Sequence, residues 1–226
     1  MRLGVLFSGG KDSVYAMYKA MQEHDIVCLI TVVSKNPESF MFHTPNIELT
    51  EIQSKALDIP IISIVSSGIK EKELDDLKEV INRTIKKFNI DGIVTGSVES
   101  VYQSTRIQKI CNELNIWCFN PIWLIDQIDL LEKMVEKGFR IIITGVFAQP
   151  FDKKWLGREI DYETIQDLKD LANKYDINPA GEGGEIETFV IDGPIFKKKI
   201  EILKTNKEYS DYSGTLLIEK LKVVEK

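Results

Sequence analysis

The sequence predicts an α/β protein: a parallel, doubly wound sheet in the first half, followed by a smaller domain of mixed α+β structure. Two observations lead to this fold class. In the first half, continuous apolar runs alternate with amphipathic stretches of helical spacing, whereas the second half has several strand-like runs with little helix between them. Strands that are apolar on both faces and alternate with helices are typical of a parallel sheet covered by helices on both sides.

The first half contains five predicted strands and four predicted helices. Short runs rich in Val, Ile and Leu predict strands at residues 3–7, 26–33, 61–65, 92–95 and 116–119. Helical spacing of apolar residues predicts helices at about residues 12–23, 46–57, 69–88 and 105–114. The helix at 69–88 ends in a lysine-rich turn, which suits the negative end of the helix dipole.

The character of the chain changes near residues 120–122, and we place a domain boundary there. The predicted domains are residues 1–120 and residues 121–226. In the second domain, helices are expected at about residues 126–137 and 161–175. Strands are expected at 139–146, 186–191, 200–204 and 215–219.

Composition limits the classes of function. The 226 residues can bury a core without disulfides, and the three cysteines (Cys28, Cys111 and Cys118) form no CxxC pair, so Cys28 is expected to be a core residue. With 35 acidic and 29 basic residues the net charge is −6, which makes a nucleic-acid partner unlikely. No signal-peptide pattern opens the sequence, and no apolar run approaches the ~20 residues of a membrane span. These features predict a cytoplasmic protein with no membrane association.

A glycine-rich string, Ser8-Gly9-Gly10-Lys11-Asp12-Ser13, follows the first predicted strand and opens the first predicted helix. Adjacent glycines permit positive φ and let backbone N–H groups approach a ligand, and a helix N-terminus favours an anion. The serine hydroxyls and the Lys11 charge add further donors. The spacing is neither that of a Walker A loop nor that of a GxGxxG dinucleotide loop. A tight turn with a serine cap is the simpler explanation, but the complete string between strand and helix favours phosphate binding.

This string resembles the SGGxDS signature of the N-type ATP pyrophosphatases, or PP-loop enzymes, which have an adenine nucleotide alpha-hydrolase-like fold. The resemblance implies that the six loop residues bind ATP, with Lys11 as a catalytic cation. It also implies that a substrate oxygen attacks the α-phosphate, so that AMP and pyrophosphate are the products. Asp12 is the candidate ligand for Mg²⁺, although an acidic residue in the first turn also stabilises the helix dipole by itself.

Four further strings extend the resemblance over almost the whole chain. They are MFHTPN at residues 41–46, GSVESVYQ at 96–103, WLGR at 155–158 and GEGGEIETF at 181–189. Together they resemble the diphthine–ammonia ligase (diphthamide synthetase) family. This resemblance implies ATP-dependent amidation of diphthine, the modified histidine of elongation factor 2, with ammonia through an acyl-adenylate. Elongation factor 2 and ammonia are therefore the expected partners.

The resemblance also suggests roles for individual residues. Gly96 and Ser97 would contribute to the nucleotide site, and the expected substrate-binding residues are His43, Tyr102, Gln103, Glu182, Gly183 and Gly184. Three carboxylates crowd around the Gly183-Gly184 pair, and such a group suits ammonium binding, orientation of a cationic substrate or proton transfer. Glu185 and Glu187 are the expected catalytic carboxylates, because they would point to the same side of a strand that began there.

Ordinary structural explanations stay open for each string. His43 fits an exposed loop, Tyr102 and Gln103 fit the start of a helix, and Trp155 fits a packing role in the core. Two other functions also stay open: adenylation of a transfer RNA base, and ATP binding by a non-catalytic sensor module. The acidic net charge and the absence of a cysteine pair disfavour the first, and the carboxylate cluster disfavours the second. The sequence leaves the oligomeric state undetermined, and an oligomer is possible.

Overall fold

A computed structural model of the chain describes residues 1–36, 45–69 and 71–226. It divides into two compact units, Met1–Trp123 and Leu124–Lys226. The boundary expected at residues 120–122 lies beside this division.

The described residues of the first unit form five strands and four α-helices, with a short 3₁₀-helix at Ile47–Leu49. The strands are β1 (Arg2–Leu6), β2 (Asp25–Ser34), β3 (Ile61–Ser66), β4 (Gly92–Val94) and β5 (Trp117–Phe119). The helices are α1 (Lys11–Ala20), α2 (Thr50–Leu57), α3 (Lys72–Phe88) and α4 (Val101–Glu113).

All neighbouring strands of the first sheet are parallel, in the order β3-β2-β1-β4-β5. The predicted parallel, doubly wound sheet is therefore confirmed. The strand order reverses between β1 and β4, so the chain leaves these two neighbouring strands in opposite directions. In sheets of this kind, ligands bind at the carboxyl ends of the strands at such a switch point. The loops that follow β1 and β4 both begin there.

One face of this sheet is covered by α3 and α4. The side chains that form its core come from β2, β4 and both helices: Cys28, Ile30, Val32, Leu77, Val80, Ile81, Ile93, Ile107 and Ile110. Because Cys28 is completely buried, desolvation raises the pKa of its thiol to about 12. Cys28 is therefore a core residue, as the sequence indicates.

Helix α4 begins four residues earlier than the sequence predicts. Its N-cap is Ser100, whose Oγ accepts a hydrogen bond from the backbone N–H of Gln103 at 3.3 Å. A serine in this position closes the first helical turn, so residues 101–104 join the helix although they are not apolar at helical spacing. Helix α3, by contrast, begins at Lys72 and not at residue 69.

The second unit has a four-stranded antiparallel sheet and two helices, which confirms the mixed α+β expectation. Its strands are β6 (Arg140–Val146), β7 (Ile186–Asp192), β8 (Lys199–Ser210) and β9 (Ser213–Val224). They lie in the order β7-β6-β9-β8. The helices are α5 (Gln127–Glu136) and α6 (Tyr162–Tyr175).

Strands β8 and β9 are much longer than the predicted segments 200–204 and 215–219. They form one hairpin, in which Lys199 is paired with Val224 at the open end and Ser210 with Ser213 next to the turn. Its turn residues, Asp211 and Tyr212, have φ of +47° and +61°, as in a type I′ turn, whose twist matches that of the flanking strands. The short prediction was wrong because most of β8 is exposed and polar, so no apolar run extends along it.

Within the described ranges, none of the helices combines the length and the apolar character that a membrane crossing requires.

Candidate functional site

The loop at residues 8–13 connects β1 to the first turn of α1. Gly9 has a φ of +79°, in the left-handed region that favours glycine. Gly10 is the N-cap of α1 and is extended instead, with φ −78° and ψ 168°. The positive φ expected from the glycine pair therefore applies to Gly9 and not to Gly10.

The two serines close the loop on itself. The Ser8 backbone N–H donates to Ser13 Oγ at 3.3 Å, and the two hydroxyl oxygens are 3.2 Å apart. Ser13 Oγ donates to the Gly10 carbonyl at 3.1 Å, and the Gly10 N–H donates to Ser8 Oγ at 3.4 Å. Both hydroxyls thus lie at the N-terminus of α1, where backbone N–H groups and the helix dipole favour an anion.

Lys11 and Asp12 form an ion pair at the start of α1. The Lys11 ammonium lies 2.8 Å from Asp12 Oδ2, and the lysine is only 3% exposed whereas the aspartate is 29% exposed. Asp12 Oδ1 is buried, and among the described residues it has no hydrogen-bond partner. An unpaired buried carboxylate oxygen is costly, so this atom is a suitable ligand for a cation.

Two residues outside the string hold the loop in place. Gln53 on α2 is fully buried, and its Nε2 donates to the Gly9 carbonyl at 2.9 Å. A Cβ at position 9 would collide with the Gln53 amide. Thr31 on β2 donates from Oγ1 to the Phe7 carbonyl at 2.6 Å. Neither residue can be recognised from the sequence, because no local pattern distinguishes a buried glutamine or threonine that contacts a distant loop.

Gly96 lies directly against the loop from the side of β4. A Cβ at this position would stand 2.7 Å from the Ser13 backbone N and 2.8 Å from the Asp12 carbonyl carbon. Glycine is therefore required for the close approach of the two backbones. Ser97 is buried, and its Oγ donates to Gln103 Oε1 at 3.3 Å. The structure thus brings Gly96 next to the loop, where it packs against main-chain atoms.

Tyr102 and Gln103 lie in the first turn of α4, which agrees with the ordinary explanation that they start a helix. The guanidinium of Arg106 lies over the Tyr102 ring, 3.5 Å from its centroid, and pairs with Glu71 at 2.8 Å. Hydrogen bonding to Glu71 raises the pKa of Arg106. Substrate binding by Tyr102 and Gln103 stays a prediction. His43 lies outside the described residues.

In the second unit, the start of the string GEGGEIETF (residues 181–189) forms a tight turn before β7. Gly181 and Gly184 have φ of +80° and +84°. The Glu185 carboxylate accepts hydrogen bonds from the Asn178 backbone N–H at 3.0 Å, from Asn178 Nδ2 at 2.7 Å and from the Gly183 N–H at 2.8 Å. Both carboxylate oxygens are therefore engaged within the turn.

Gln127, the first residue of α5, extends this network. Its Nε2 donates to Asn178 Oδ1 at 3.1 Å, and its Oε1 accepts from the Ala180 N–H at 3.0 Å. Neither Gln127 nor Asn178 was identified from the sequence, because their partners lie 51 and seven residues away along the chain.

The other members of the string surround this turn. Glu182 is half-buried, and Gly183 and Gly184 are exposed. Glu187 is half-buried on β7, opposite Gly145 of β6. The structure therefore brings residues 182–185 into one turn, with Glu187 two residues further along the chain.

The segment at residues 155–158 has a structural role within the second unit. Gly157 N–H donates to the Ile143 carbonyl at 2.8 Å, and Ile143 N–H donates to the Arg158 carbonyl at 2.9 Å, so the segment pairs with β6. The Trp155 ring meets Phe151 edge to face, 5.1 Å between centroids, and Arg158 lies over Trp155. These contacts support the packing explanation for Trp155.

Across residues 1–36, 45–69 and 71–226, no group of three or more His, Cys, Asp or Glu side chains is arranged to hold a metal ion. Magnesium is commonly bound through one or two carboxylates together with the phosphates of a nucleotide. Asp12 Oδ1, a buried oxygen within the loop at residues 8–13, fits that mode of binding.

Comparisons with known proteins match both units. Residues 1–117 match the family model for the diphthamide synthase N-terminal domain, and residues 126–224 match that for the diphthamide synthase C-terminal domain. A Bos taurus protein named diphthine–ammonia ligase is 33% identical over 220 residues, covering 88% of this chain and 82% of that protein. The Homo sapiens protein of the same name is 32% identical, with the same coverage.

Two further matches are more distant or less complete. A Schizosaccharomyces pombe diphthine–ammonia ligase is 30% identical over 231 residues, which cover 95% of this chain but 38% of that longer protein. A solved structure described as a predicted subunit of tRNA methyltransferase from Methanocaldococcus jannaschii is 18% identical. It covers 86% of this chain and 98% of its own, with a TM-score of 0.43, a similarity too low to bear on function.

Proposed function

Since this chain belongs to the diphthamide synthase family, we propose that it is a ligase that joins ammonia to the carboxylate of diphthine with the use of ATP. The product is diphthamide, and the reaction is the last step of diphthamide biosynthesis. The protein substrate is elongation factor 2, and the reaction takes place in the cytoplasm. The observation that carries the proposal is the loop at residues 8–13 in a chain whose two halves both match this family.

The first half-reaction activates the carboxylate, which ammonia cannot displace directly. A carboxylate oxygen of diphthine attacks the α-phosphorus of ATP, and the bond to the β-phosphate breaks, so that pyrophosphate leaves. The backbone N–H groups at the start of α1 bind the β- and γ-phosphates, and the Lys11 ammonium neutralises the charge that develops on them. The ion pair with Asp12 supports this assignment, because it holds the ammonium at the helix N-terminus.

Magnesium, when bound with ATP, would neutralise part of the polyphosphate charge. Asp12 is the residue that would hold it, through the buried Oδ1. The other loop residues then have supporting roles: Ser8 and Ser13 fix the loop, Gly9 gives its turn, and Gly96 packs against it from the β4 side. Ser97, the residue after Gly96, is a further candidate for nucleotide binding.

In the second half-reaction, ammonia attacks the acyl carbon of the mixed anhydride. The amide forms, AMP leaves with the electrons of the cleaved C–O bond, and one proton of the attacking nitrogen must be accepted. We assign this half-reaction to the segment at residues 181–187, with Glu187 as the candidate proton acceptor. Glu182, Gly183 and Gly184 are candidates for binding the acceptor or ammonium, together with His43, Tyr102 and Gln103.

The test uses the purified chain with ATP, heavy-nitrogen ammonium and elongation factor 2 that carries diphthine. We expect AMP, pyrophosphate and one heavy nitrogen in the modified histidine. The Lys11→Ala variant should stay folded by circular dichroism and lose activity about 100-fold or more, because a preorganised charge is missing from the phosphate site. Lys19→Ala, at the exposed end of the same helix, is the matched control and should be fully active.

Other outcomes would contradict the proposal in distinguishable ways. Normal amide formation by the folded Lys11→Ala variant would show that Lys11 does not act at the phosphate site. Formation of ADP would indicate that the intermediate is an acyl phosphate and not an adenylate. Adenylation of transfer RNA and not of the protein would favour a tRNA-modifying enzyme. Tight ATP binding without turnover on any acceptor would favour a sensor module.

A further inference from the structure

A cluster of three polar side chains, which we call the clasp, fixes the turn before β7. It consists of Gln127 on α5, Asn178 in the loop after α6, and Glu185. The Asn178 amide is its centre, since Nδ2 donates to Glu185 at 2.7 Å and Oδ1 accepts from Gln127 at 3.1 Å. The Gln127 amide also accepts from the Ala180 N–H at 3.0 Å. The clasp thus joins the start of α5 to both ends of the turn.

Glu185 is the charged member of the clasp. Its Oε1 accepts from both donors of Asn178, and its Oε2 accepts from the Gly183 N–H. Hydrogen bonds to an ionised acceptor are stronger than those between neutral groups, so a carboxylate holds the turn better than an amide would. With N–H donors on both oxygens, Glu185 is placed to anchor the turn and not to remove a proton.

The clasp also explains why glycine occupies position 183. A Cβ there would stand 2.7 Å from Glu185 Oε1 and 2.8 Å from Asn178 Nδ2, so the two clasp side chains fill the space that any other residue would need. Gly184 has positive φ, and a Cβ on it would meet none of the described atoms within 4 Å. The side of the turn at Gly183 therefore packs against the clasp, whereas the position of a Cβ on Gly184 has no described neighbour.

We propose that Gln127, Asn178 and Glu185 are positioning residues that hold the turn at 182–184 in the conformation required for amide formation. This inference rests on the proposed function, and it assigns Glu185, which the sequence suggested as catalytic, to positioning. An exposed turn with two glycines has little packing to fix it. Its order therefore depends on these hydrogen bonds, together with the backbone bond from the Gly184 N–H to the Gly181 carbonyl at 2.9 Å. Preorganised groups accelerate a reaction because they need not be ordered during it.

The principal test is Asn178→Asp. This change keeps the acceptor for Gln127 but replaces the donor to Glu185 with an anion, so that two carboxylates face each other. We expect kcat/KM for the protein substrate to fall about tenfold or more, because a charge-assisted hydrogen bond is lost and a repulsion added. The ATP dissociation constant, measured by calorimetry, should not change. Asn173→Asp, the same substitution at an exposed position of α6, is the control and should behave like the unmodified protein.

A second variant distinguishes positioning from proton transfer. In Asn178→Asp combined with Glu185→Gln, the new glutamine amide can donate to the new aspartate, so the side-chain bond is restored with reversed polarity. The backbone N–H of residue 178 loses its acceptor in this variant, so the rescue is expected to be partial. We expect the double variant to be more active than either single variant. If Glu185 is a base, the double variant should instead be as inactive as Glu185→Gln alone, and the positioning role is wrong.

Hydrogen exchange of the backbone amides at residues 182–184 gives a readout that needs no turnover. We expect faster exchange in Asn178→Asp, and also in Gln127→Leu, which removes both Gln127 bonds but leaves Glu185 intact. If the turn exchanges faster while amide formation is normal, its order is irrelevant to the reaction. If exchange is unchanged, the clasp does not hold the turn. If the unmodified protein forms no amide, the proposed function fails, whereas the exchange result still tests the clasp.

Discussion

The conformation of the loop at residues 8–13 depends on residues that lie outside it. Gln53 comes 44 residues after Gly9 in the sequence, yet its amide is the donor that satisfies the Gly9 carbonyl. Gly96 permits the backbone of the β4 loop to pack against Asp12 and Ser13. The six-residue string therefore contains the groups that we propose to contact phosphate, while its supporting residues are visible only in the folded chain.

Replacing Gln53 tests this support. In Gln53→Ala, the buried Gly9 carbonyl loses its donor, which should lower the free energy of unfolding by about 1–3 kcal/mol and weaken ATP binding about tenfold. Denaturant unfolding and calorimetric titration measure the two effects. Gln108→Ala is the control, because Gln108 is exposed and bonds to Asn112 on its own helix. Equal ATP affinity in both variants would show that the loop does not need Gln53.

At the scale of the elements, the sequence predicted best those that bury apolar residues. The strands of the first sheet are continuous apolar runs and were recognised as such. The β8–β9 hairpin was underestimated, since most side chains of β8 face solvent, and cross-strand pairing there involves lysine and glutamate. The start of α4 was missed for a related reason: the Ser100 cap, and not hydrophobic spacing, begins that helix.

The cap of α6 is Asp161, whose Oδ1 accepts from the Thr164 N–H at 2.8 Å. This hydrogen bond holds the pKa of Asp161 below its usual value. A carboxyl group with a lowered folded-state pKa stabilises the protein above its unfolded-state pKa, and the stabilisation is lost as the pH falls through the folded-state value. Asp161→Ala should therefore cost about 1 kcal/mol at neutral pH, the usual value of an N-cap.

Denaturant unfolding at several pH values checks this expectation. The difference in the free energy of unfolding between the unmodified protein and Asp161→Ala should become smaller as the pH falls through the acidic range. Asp170→Ala, on the exposed part of the same helix, should show no comparable loss. A difference that stays constant down to the lowest pH would mean that the charge of Asp161 has no part in the cap.

A substitution in the turn of the β8–β9 hairpin is expected to raise the stability of the protein. Tyr212 has a φ of +61°, which is unfavourable for a residue with a Cβ, and Asp-Gly is a preferred pair for a type I′ turn. Tyr212→Gly should raise the free energy of unfolding by about 0.5–1 kcal/mol, the relief of strain being partly offset by the freedom of glycine in the unfolded chain. Tyr212→Ala removes the ring but keeps the strain, so it should not stabilise. Equal stability of the two variants would exclude strain as the cause.

For the whole molecule, the sequence predicts the order of the elements, the change of character between the two halves and the position of the loop at residues 8–13 between β1 and α1. It did not predict the strand order or the residues of the clasp. Asn178 and Gln127 are neutral amides without spacing or charge to distinguish them, and their roles follow from partners far away along the chain. The sequence indicates the acidic residues at 182–187, and the hydrogen bonds within their turn are the basis on which we propose a positioning role for Glu185.

In the proposed reaction, a carboxylate oxygen of the protein substrate attacks the α-phosphorus of ATP. The most direct measurement uses elongation factor 2 whose diphthine carboxylate carries a heavy oxygen isotope, incubated with the chain, ATP and ammonium. If an acyl-adenylate forms, one heavy oxygen must pass to AMP when ammonia releases the amide, and mass spectrometry of the nucleotide will detect it. Heavy oxygen in inorganic phosphate with ADP as the nucleotide product would indicate an acyl phosphate. Amide formation that leaves AMP unlabelled would likewise exclude an acyl-adenylate.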